Sequence, residues 1–218
     1  MDLLAELISW SPRLLSGLWV SLQVSVLSLI IGVPLGLGLA ILSSAKKKTV
    51  RAITILIVET GRGMPALVML QMVYFGLPEV HIVFDAFMAT VVALALTTSA
   101  YTSEIIRAGL RAVPEGEVEA AEALGLSRLD VMRFIVIPQG FRIAMPTLMG
   151  FAILILQVSS LAFTLGLPEL LSQAYSIGAA TFNYLGVLTL AGIFYLLITI
   201  PGGWLVERFE KRLSRYLI

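Results

Sequence analysis

The dominant pattern in this chain is a series of long stretches without Asp, Glu, Lys or Arg. Four stretches lack these residues entirely, at 14–45, 86–103, 143–168 and 170–206. A fifth stretch, 52–78, contains only Glu59 and Arg62 as charged residues. A helix needs about 20 mostly apolar residues to cross a bilayer, so each stretch is long enough. The pattern predicts five transmembrane helices, near 14–42, 52–76, 84–107, 143–166 and 183–206.

Composition supports the same class of protein. Of the 218 residues, 58% are hydrophobic and 13% are charged, whereas a soluble domain carries about a quarter charged residues. The first apolar stretch lacks a basic leader and is too long for a cleavable signal peptide, so we expect it to remain as a membrane helix. These features predict an all-α, polytopic membrane protein with a single transmembrane domain over 1–218. The basic residues form no continuous face, so no nucleic acid partner is expected.

Lys and Arg are distributed unevenly among the connections. They cluster at Lys46, Lys47, Lys48 and Arg51, at Arg107, Arg111, Arg128, Arg133 and Arg142, and in the tail at Arg208, Lys211, Arg212 and Arg215. The connections 77–85 and 167–182 contain neither residue. Since basic residues accumulate on the cytoplasmic side, we expect the amino end outside and the carboxyl end in the cytoplasm. The tail from Glu207 to Arg215 is expected to lie among anionic lipid headgroups.

Residues 114–138 form a polar segment between the third and fourth predicted helices. Pro114 suits the first turn of a helix, and Gly125 is placed to end that helix in a left-handed conformation. Part of this helix has little side-chain cover because it carries three alanines, Ala120, Ala121 and Ala123. Another surface could therefore approach its backbone closely.

A second short helix is predicted directly after Gly125. Ser127 followed by Asp130 three residues later is typical of a capping box. Pro138 disfavours helical geometry at Ile137, so this helix is expected to end there. The whole segment is therefore predicted to be a helical hairpin on the cytoplasmic side, where a soluble partner could bind it.

The hairpin also carries a family signature. Glu119-Ala120-Ala121, then Gly125 after three residues, then Ile135-Val136-Ile137-Pro138 after nine more, resemble the EAA-x3-G-x9-I-x-L-P loop of bacterial ABC importer membrane subunits. Ile137 stands in place of the leucine. Further segments resemble the polar amino acid uptake branch, at Glu59-x2-Arg62-Gly63-x-Pro65, Glu104-Ile105-x-Arg107, Ala112-Val113-Pro114-x-Gly116 and Gln157-x-Ser159-Ser160-Leu161.

The resemblance implies a type I ABC importer permease architecture in which the hairpin is a cytoplasmic coupling helix that inserts into a groove of the ATPase subunit. The implied ATPase-coupling residues are Glu119, Ala120, Ala121, Glu122, Leu124, Gly125 and Leu126. The implied partners are two ABC ATPase subunits, a second permease subunit that is a copy or a paralogue, an extracytoplasmic solute-binding protein and membrane lipid. The implied location is the bacterial cytoplasmic membrane.

Two charged residues interrupt the second predicted helix. Arg62 lies eleven residues beyond Arg51, a depth of about 16 Å in a straight helix, near the middle of the bilayer. Glu59 is three residues from Arg62, so the two side chains can form an ion pair. These charges either line the solute pathway or brace the helix against a neighbour, and both roles remain open. Gly63 and Pro65 could free backbone carbonyls to line a pocket.

A second pair with three-residue spacing lies near the end of the third predicted helix. Glu104 and Arg107 are expected to form a structural ion pair at the cytoplasmic edge, close to Tyr101. This pair could hold the angle at which the hairpin leaves the membrane.

The fourth predicted helix carries a polar cluster at Gln157, Ser159 and Ser160. These residues lie about 16 Å beyond Pro146, a depth similar to that predicted for Arg62. In the resembling permeases this segment often has Lys-Asp-Thr-Ser-Leu, and its polar groups are implied in holding solute. Gln157 replaces the lysine, so either the solute is zwitterionic or a partner subunit supplies the charge. Alternatively, the serine hydroxyls simply bond to carbonyls four residues earlier in the helix.

A short repeat occurs in the two connections that lack Lys and Arg. Gly76-Leu77-Pro78-Glu79 and Gly166-Leu167-Pro168-Glu169 each combine a helix stop with a helix start. The repeat is either a compact way to turn at the membrane surface or the start of short helices beneath a docked solute-binding protein.

Catalytic motifs are missing from the sequence. It contains no G-x4-G-K-[ST] segment, no cysteine and one histidine, so neither ATP binding by this subunit, nor a metal site, nor a nucleophile–histidine set is expected. We therefore expect a non-catalytic permease subunit of an ABC importer for amino acids or similar zwitterionic solutes. The alternatives are a stand-alone ion-coupled carrier or channel, and a membrane anchor with a recruitment loop.

Overall fold

The computed structural model describes the backbone of residues 3–214 and the side chains of residues 8–213. Within this part of the chain every regular element is helical. The helices are α1 (Leu3–Leu42), α2 (Lys48–Gly63), α3 (Ala66–Gln71), α4 (Ala86–Arg111), α5 (Glu115–Ala123), α6 (Arg128–Asp130), α7 (Ile137–Val158), α8 (Leu170–Thr181) and α9 (Tyr184–Ser214). Tighter or wider helical turns extend α3, join α6 to α7 and extend α7, at Met72–Val80, Val131–Val136 and Ser159–Leu165.

The described helices contain the membrane-length segments that the hydrophobic pattern predicted. Four are long and apolar enough to cross a bilayer, Ile8–Leu42, Ala86–Arg111, Arg128–Leu165 and Tyr184–Leu213. A fifth span exists if α2 and Ala66–Val80 are taken together, although the two are bent by 101°. The prediction of an all-α polytopic membrane protein is confirmed.

The second predicted helix, 52–76, is not continuous, and the prediction was wrong on this point. Met64 is extended, with φ −82° and ψ 126°, and Pro65 has φ −57° and ψ 137°. A proline ring clashes with a helical conformation of the residue before it, which explains why α2 stops at Gly63. The chain turns sharply at Met64 and Pro65 before α3 begins.

The second helix of the hairpin does not end at Pro138, which corrects the sequence prediction. Ile137 is helical, with φ −63° and ψ −50°, and helical structure continues from Arg128 to Leu165. Val131–Val136 is wound as a π-helix. This wider turn accommodates the missing N–H and the ring of a proline, which a regular α-helix would not do without strain.

Three other predicted helices are longer than expected. The first begins at Leu3, the third ends at Arg111, and the fifth ends at Ser214. A charge-free stretch defines only the hydrocarbon-spanning part of a helix, whereas the helix itself can continue through charged residues in the interface. Arg215, which was assigned to the basic tail, lies outside the described residues.

The central helix α4 packs closely against α1 and α7. A Cβ atom added to Gly36 of α1 would lie 2.1 Å from Thr102 Oγ1, and one added to Gly109 of α4 would lie 2.3 Å from the Gly140 carbonyl oxygen. Both distances are too short for a side chain. Small residues at these crossings let the helix backbones approach, as is common in membrane bundles.

A buried carboxylate connects α1, α8 and α9. Glu169 has no exposed surface and caps α8 by accepting hydrogen bonds from the backbone N–H groups of Leu171 (2.8 Å) and Ser172 (2.7 Å). Ser21 Oγ and Tyr195 Oη each donate to Glu169 Oε2 at 3.4 Å. Burial raises the pKa of the Glu169 carboxyl to about 7, against the lowering effect of these hydrogen bonds.

The two copies of the Gly-Leu-Pro-Glu repeat therefore differ in structure. In the second copy Gly166 has a positive φ of 75° and Glu169 turns inward as the cap of α8. In the first copy, Leu77–Val80 is one 3-10 turn, and Glu79 is exposed. The same four residues thus make a buried cap in one connection and a solvent-facing turn in the other.

The raised pKa predicts a pH-dependent loss of stability. The pKa of Glu169 rises from 4.5 to about 7 on folding, so the folded state holds a proton that the unfolded state releases. The resulting stabilisation is complete below pH 4.5 and is lost as the pH rises through 7, by up to about 3 kcal/mol. In thermal unfolding of the purified protein, Tm should therefore fall between pH 5 and 8 more in the wild type than in Glu169→Gln.

Glu79→Gln is the matched control, because it removes one exposed carboxylate from the other copy of the repeat. Its Tm should follow the wild-type pH profile. Parallel profiles for the wild type and Glu169→Gln would show that burial of Glu169 does not affect stability in this way.

Candidate coupling hairpin and membrane cleft

The turn of the hairpin is a Schellman motif centred on Gly125. Gly125 has φ +84°, its N–H donates to the Glu122 carbonyl at 2.9 Å, and the Leu126 N–H donates to the Ala121 carbonyl at 3.2 Å. This pair of hydrogen bonds, with a left-handed glycine after the last helical turn, defines the motif. The predicted left-handed cap is confirmed.

The second limb of the hairpin begins at the predicted cap. Ser127 Oγ accepts a hydrogen bond from the Asp130 N–H at 3.2 Å and donates to Asp130 Oδ2 at 2.5 Å. Ser127 thus contacts both the side chain and the backbone of Asp130. It fixes the start of the helix that continues to Leu165.

The hairpin has a small hydrophobic core of its own. Ala121 is buried, at 4% exposure, together with Val113, Val131 and Val136. A hydrogen bond from Gln139 Nε2 to Glu117 Oε2 also ties the first limb to the start of α7. Because these contacts join α5 to the helix leading into α7, the hairpin and α7 form one packed unit.

Ala121 therefore faces inward rather than toward a partner. The other residues predicted to contact an ATPase are exposed, namely Glu119, Ala120, Glu122, Leu124, Gly125 and Leu126. Leu124 is 82% exposed, and Leu129, which the sequence analysis did not select, is 75% exposed. Two bare leucines at the tip of a polar hairpin are typical of a surface that a protein partner covers.

The two predicted ion pairs are joined into one charged network. Arg62 Nη1 lies 3.1 Å from Glu59 Oε1 and 3.9 Å from Glu104 Oε2. Glu104 in turn accepts a hydrogen bond from Arg107 Nε at 2.8 Å. The network alternates in sign across α2 and α4, so each inner member has an opposite charge on both sides.

This network places Arg62 and Glu104 at the same level. The sequence predicted Arg62 near the middle of the bilayer and Glu104 at its edge, but their 3.9 Å contact puts Glu104 closer to the level of Arg62 than predicted. Glu104 lies seven residues before the end of α4 at Arg111, about 10 Å along the helix. The estimate of about 16 Å for Arg62 is counted from Arg51 within α2, which is continuous from Lys48 to Gly63, so the break at Pro65 does not change it.

A cleft of about 320 Å³ opens beside this network. It is lined by the break between α2 and α3, by α4 and by α7, with Arg62 and Tyr101 on its wall. Tyr101 Oη donates a hydrogen bond to the Arg62 carbonyl at 3.1 Å, and the Tyr101 ring stacks on Phe151 with centroids 5.6 Å apart. The predicted freed carbonyl is therefore present, and a tyrosine from α4 binds it.

The polar cluster of the fourth span divides between two environments. Ser159 is fully buried and donates to the Leu156 carbonyl, while Ser160 donates to the Gln157 carbonyl, both at 2.7 Å. Both serines thus bond within their own helix, three residues back rather than the four expected. Gln157 is exposed, and Leu154 and Val158 of the same helix line the cleft.

A polar contact that the sequence analysis missed links α3 to the end of the fourth span. Gln71 Nε2 donates to Thr164 Oγ1 at 3.0 Å. Thr164 lies in the 3-10 turns Ser159–Leu165 that extend α7. Gln71 and Thr164 could have been noticed as isolated polar residues in apolar stretches. Their contact with each other could not have been predicted, because spacing along one helix says nothing about pairing between helices.

Comparison with known proteins identifies the family of this chain. Residues 32–215 match the family described as binding-protein-dependent transport system inner membrane component. The chain belongs to this family. It is therefore a transport permease subunit, and the alternatives of a stand-alone carrier and a membrane anchor are not favoured.

Curated relatives of this permease match over nearly their whole length. The chain is 36% identical to the arginine transport system permease protein ArtQ of Bacillus subtilis over 204 residues, covering 93% of each chain. It is also 36% identical to the histidine/lysine/arginine/ornithine transport system permease protein HisM of Escherichia coli K12, covering 93% of this chain and 92% of HisM.

Solved structures have the same fold as this permease. A crystal structure of an amino acid ABC transporter with histidines superposes with a TM-score of 0.89 at 34% identity, covering 97% of this chain and 99% of that one. The inward-facing MetNI methionine ABC transporter superposes with a TM-score of 0.70 at 19% identity, covering 94% and 96%, and shows the fold alone. The predicted type I ABC importer permease architecture is confirmed.

The charged network predicts that Glu59 and Arg62 are energetically coupled. Removing Arg62 leaves Glu59 without its neutralising charge, and removing Glu59 leaves Arg62 with only the longer contact to Glu104, whereas removing both leaves neither charge. In a double-mutant cycle, Glu59→Gln with Arg62→Met should destabilise the protein less than the sum of the single variants, by at least about 0.5 kcal/mol. The measurement is the free energy of unfolding in one detergent.

Glu79→Gln with Arg62→Met provides the control cycle, since Glu79 is exposed in a distant connection. This control should be additive. Equal, additive behaviour of both cycles would show that the 3.1 Å contact between Glu59 and Arg62 contributes nothing to stability.

Proposed function

We propose that this chain is the permease subunit of an ATP-driven importer for amino acids or similar zwitterionic solutes. The observation that carries this proposal is the continuous helical segment Arg128–Leu165. One end belongs to the hairpin with the exposed Leu124 and Leu129, and the other end lines the cleft with Leu154 and Val158. A force applied to the hairpin would therefore act directly on the cleft wall.

The subunit is non-catalytic in this proposal, and the energy comes from partners. Two ABC ATPase subunits bind and hydrolyse ATP, a second permease subunit completes the pathway, and an extracytoplasmic binding protein delivers solute. The exposed leucines of the hairpin suit the ATPase contact, because burying each such side chain contributes about 1.5–3 kcal/mol. A binding protein is supported by the description of the family, and an ABC ATPase by the similar solved structure, which is that of an amino acid ABC transporter.

The proposed orientation in the bacterial inner membrane has the amino end outside and the carboxyl end in the cytoplasm. Lys and Arg support it, since they flank α2, the hairpin and the end of α9 but are missing from 77–85 and 167–182. The hairpin then lies on the side where ATP is available.

Transport then proceeds by alternating access. ATP draws the two ATPase subunits together, and each carries a hairpin with it. The α7 segment follows because it shares a core with the hairpin through Val131 and Val136. Movement of α7 against α4 changes the width of the cleft between Phe151 and Tyr101, whose rings are stacked in this structure.

The cleft offers complementary groups for a zwitterion. The Arg62 guanidinium can bind a carboxylate, and the backbone carbonyls near Pro65 can accept hydrogen bonds from an ammonium group. Glu59 does not line the cleft and is included in the proposed pathway as the ion-pair partner of Arg62. Gln157 and Ser160 are included in the proposed pathway because they lie on the helix that lines the cleft. Ser159 belongs to the structural core in this proposal, since it is fully buried.

If the hairpin acts as a lever that transmits force from the ATPase to α7, a variant with a distorted hairpin turn should still bind the ATPase but should transport solute poorly. Gly125→Val should strain the left-handed turn by about 1 kcal/mol or more and misplace the tip, because a β-branched residue disfavours φ +84°. In proteoliposomes with the ATPase and binding protein, solute uptake should fall at least tenfold while the ATPase still copurifies.

Gly125→Asn is the matched control, because asparagine tolerates the left-handed conformation. Uptake by this variant should remain near the wild-type rate. If Gly125→Val transported solute and hydrolysed ATP as the wild type does, the hairpin would not be the lever.

A further inference from the structure

An apolar cleft lies between the start of α7 and the end of α9, away from the proposed solute pathway. Its volume is about 480 Å³, and it is lined by Pro138, Phe141, Arg142, Met145, Phe209, Arg212 and Leu213. An adjoining cleft of about 310 Å³ shares Phe209 and Arg212 and adds Leu205 and Arg208. Both volumes fall in the range of small-ligand sites, about 300–1,000 Å³.

The position of these clefts along the helices corresponds to the membrane interface. Arg142 directly precedes the charge-free stretch 143–168, and Arg208 follows the charge-free stretch 170–206 after one further residue. The hydrocarbon layer therefore ends close to both arginines. Trp204, one turn before Arg208, is 67% exposed, as expected for an aromatic residue at the interface.

The positive charge at this cleft is not neutralised by the described part of the chain. Arg142, Arg208 and Arg212 are exposed, and the ion pairs among the described residues involve other side chains. Glu210 lines a different cleft, together with Ile105 and Pro146, so it lies on another face of α9. The remaining nearby acid, Glu207, lies one turn before Lys211.

Apolar walls beneath a ring of guanidinium groups match the chemistry of an anionic phospholipid. Guanidinium binds a phosphate through two parallel hydrogen bonds, and aromatic and aliphatic side chains can cover the glycerol and upper acyl chain. Basic pockets between membrane helices on the cytoplasmic side are suited to such headgroups. A second copy of this chain is a poorer occupant, because two-fold symmetry would bring arginines against arginines.

We propose that one anionic phospholipid binds between α7 and α9, with its phosphate on Arg142 and Arg212 and its apolar part against Phe141, Met145 and Phe209. This site goes beyond the proposed transport function. The start of α7 directly follows the hairpin, so a bound lipid would hold α7 against α9 at the point where the hairpin joins the membrane domain.

The direct test is lipid retention by the purified transporter in native mass spectrometry. Wild-type protein incubated with equal amounts of phosphatidylglycerol and phosphatidylcholine should retain phosphatidylglycerol preferentially. Arg142→Gln with Arg212→Gln should reduce that preference at least tenfold. Arg51→Gln, which removes an exposed basic residue of α2 outside the cleft, should leave it unchanged. No preference in the wild type, or the same preference in the double variant, would overturn the proposal.

A second variant tests the apolar part without altering charge. Met145→Trp should fill the cleft and reduce phosphatidylglycerol retention while the ATPase still copurifies; undiminished retention would show that the lipid binds elsewhere.

Inorganic phosphate at millimolar concentration should not displace the lipid, and displacement would mean that the arginines bind free phosphate instead. The natural sequence has no cysteine, so Met145→Cys gives a single crosslinking site. Crosslinking of this cysteine to another subunit would assign the cleft to a protein interface.

Discussion

The continuity of the helix from Arg128 to Leu165 is the constraint on which the rest of this structure depends. Its 38 residues correspond to about 57 Å of helix, longer than the hydrocarbon layer alone requires. The chain sustains this length across Pro138 by widening the preceding turn into a π-helix at Val131–Val136. Without that turn, the hairpin would be joined to the membrane domain by a flexible break.

Packing makes this helix effective as a mechanical element. At one end its first turns share a core with Val113 and Ala121 of the hairpin. In the middle it crosses α4 where Gly109 meets the backbone of Gly140, so the two helices are in direct backbone contact at that point. Near the other end it lines the cleft at Leu154 and Val158. A displacement of the hairpin therefore reaches the cleft through one rigid segment.

The opposite wall of the cleft is stabilised by ion pairs as well as by close packing, since a Cβ atom added to Gly61 of α2 would lie 2.7 Å from Ala100 Cβ of α4. Met64 and Pro65 interrupt the span there, and the charged network holds the end of α2 against α4 through Arg62 and Glu104, at 3.9 Å. Charges in a membrane segment are costly unless they are paired. The two sides of the cleft are thus built differently, one as a continuous helix and the other as a broken helix with ion pairs.

Much of this arrangement could be predicted from local sequence. Charge-free stretches located the membrane helices, and Gly125 and Ser127 located the turn and cap of the hairpin. The two prolines show the limit of such rules, since Pro65 breaks its span and Pro138 does not. Pro12, Pro34, Pro146 and Pro201 also lie inside helices, so a proline alone does not decide where a helix ends. Contacts between helices, such as Arg62 with Glu104 and Glu169 with Ser21, were also beyond reach, because periodicity reports only neighbours on one helix.

Hairpin movement is expected to reach the cleft through the continuous helix Arg128–Leu165. The most direct test places a single cysteine on the cleft wall by the substitution Leu154→Cys, since the sequence has no cysteine of its own. The rate at which a thiol reagent alkylates this cysteine is measured in the assembled transporter with and without an ATP analogue. The rate is compared in two further variants of this protein, one with glycine and one with alanine at the exposed positions Met132 and Phe134. Each glycine weakens the helix by about 1 kcal/mol relative to alanine. The alkylation rate should depend on nucleotide in the variant with alanines at 132 and 134, and it should be independent of nucleotide in the variant with glycines there. An equal nucleotide response in both variants would contradict transmission through this helix.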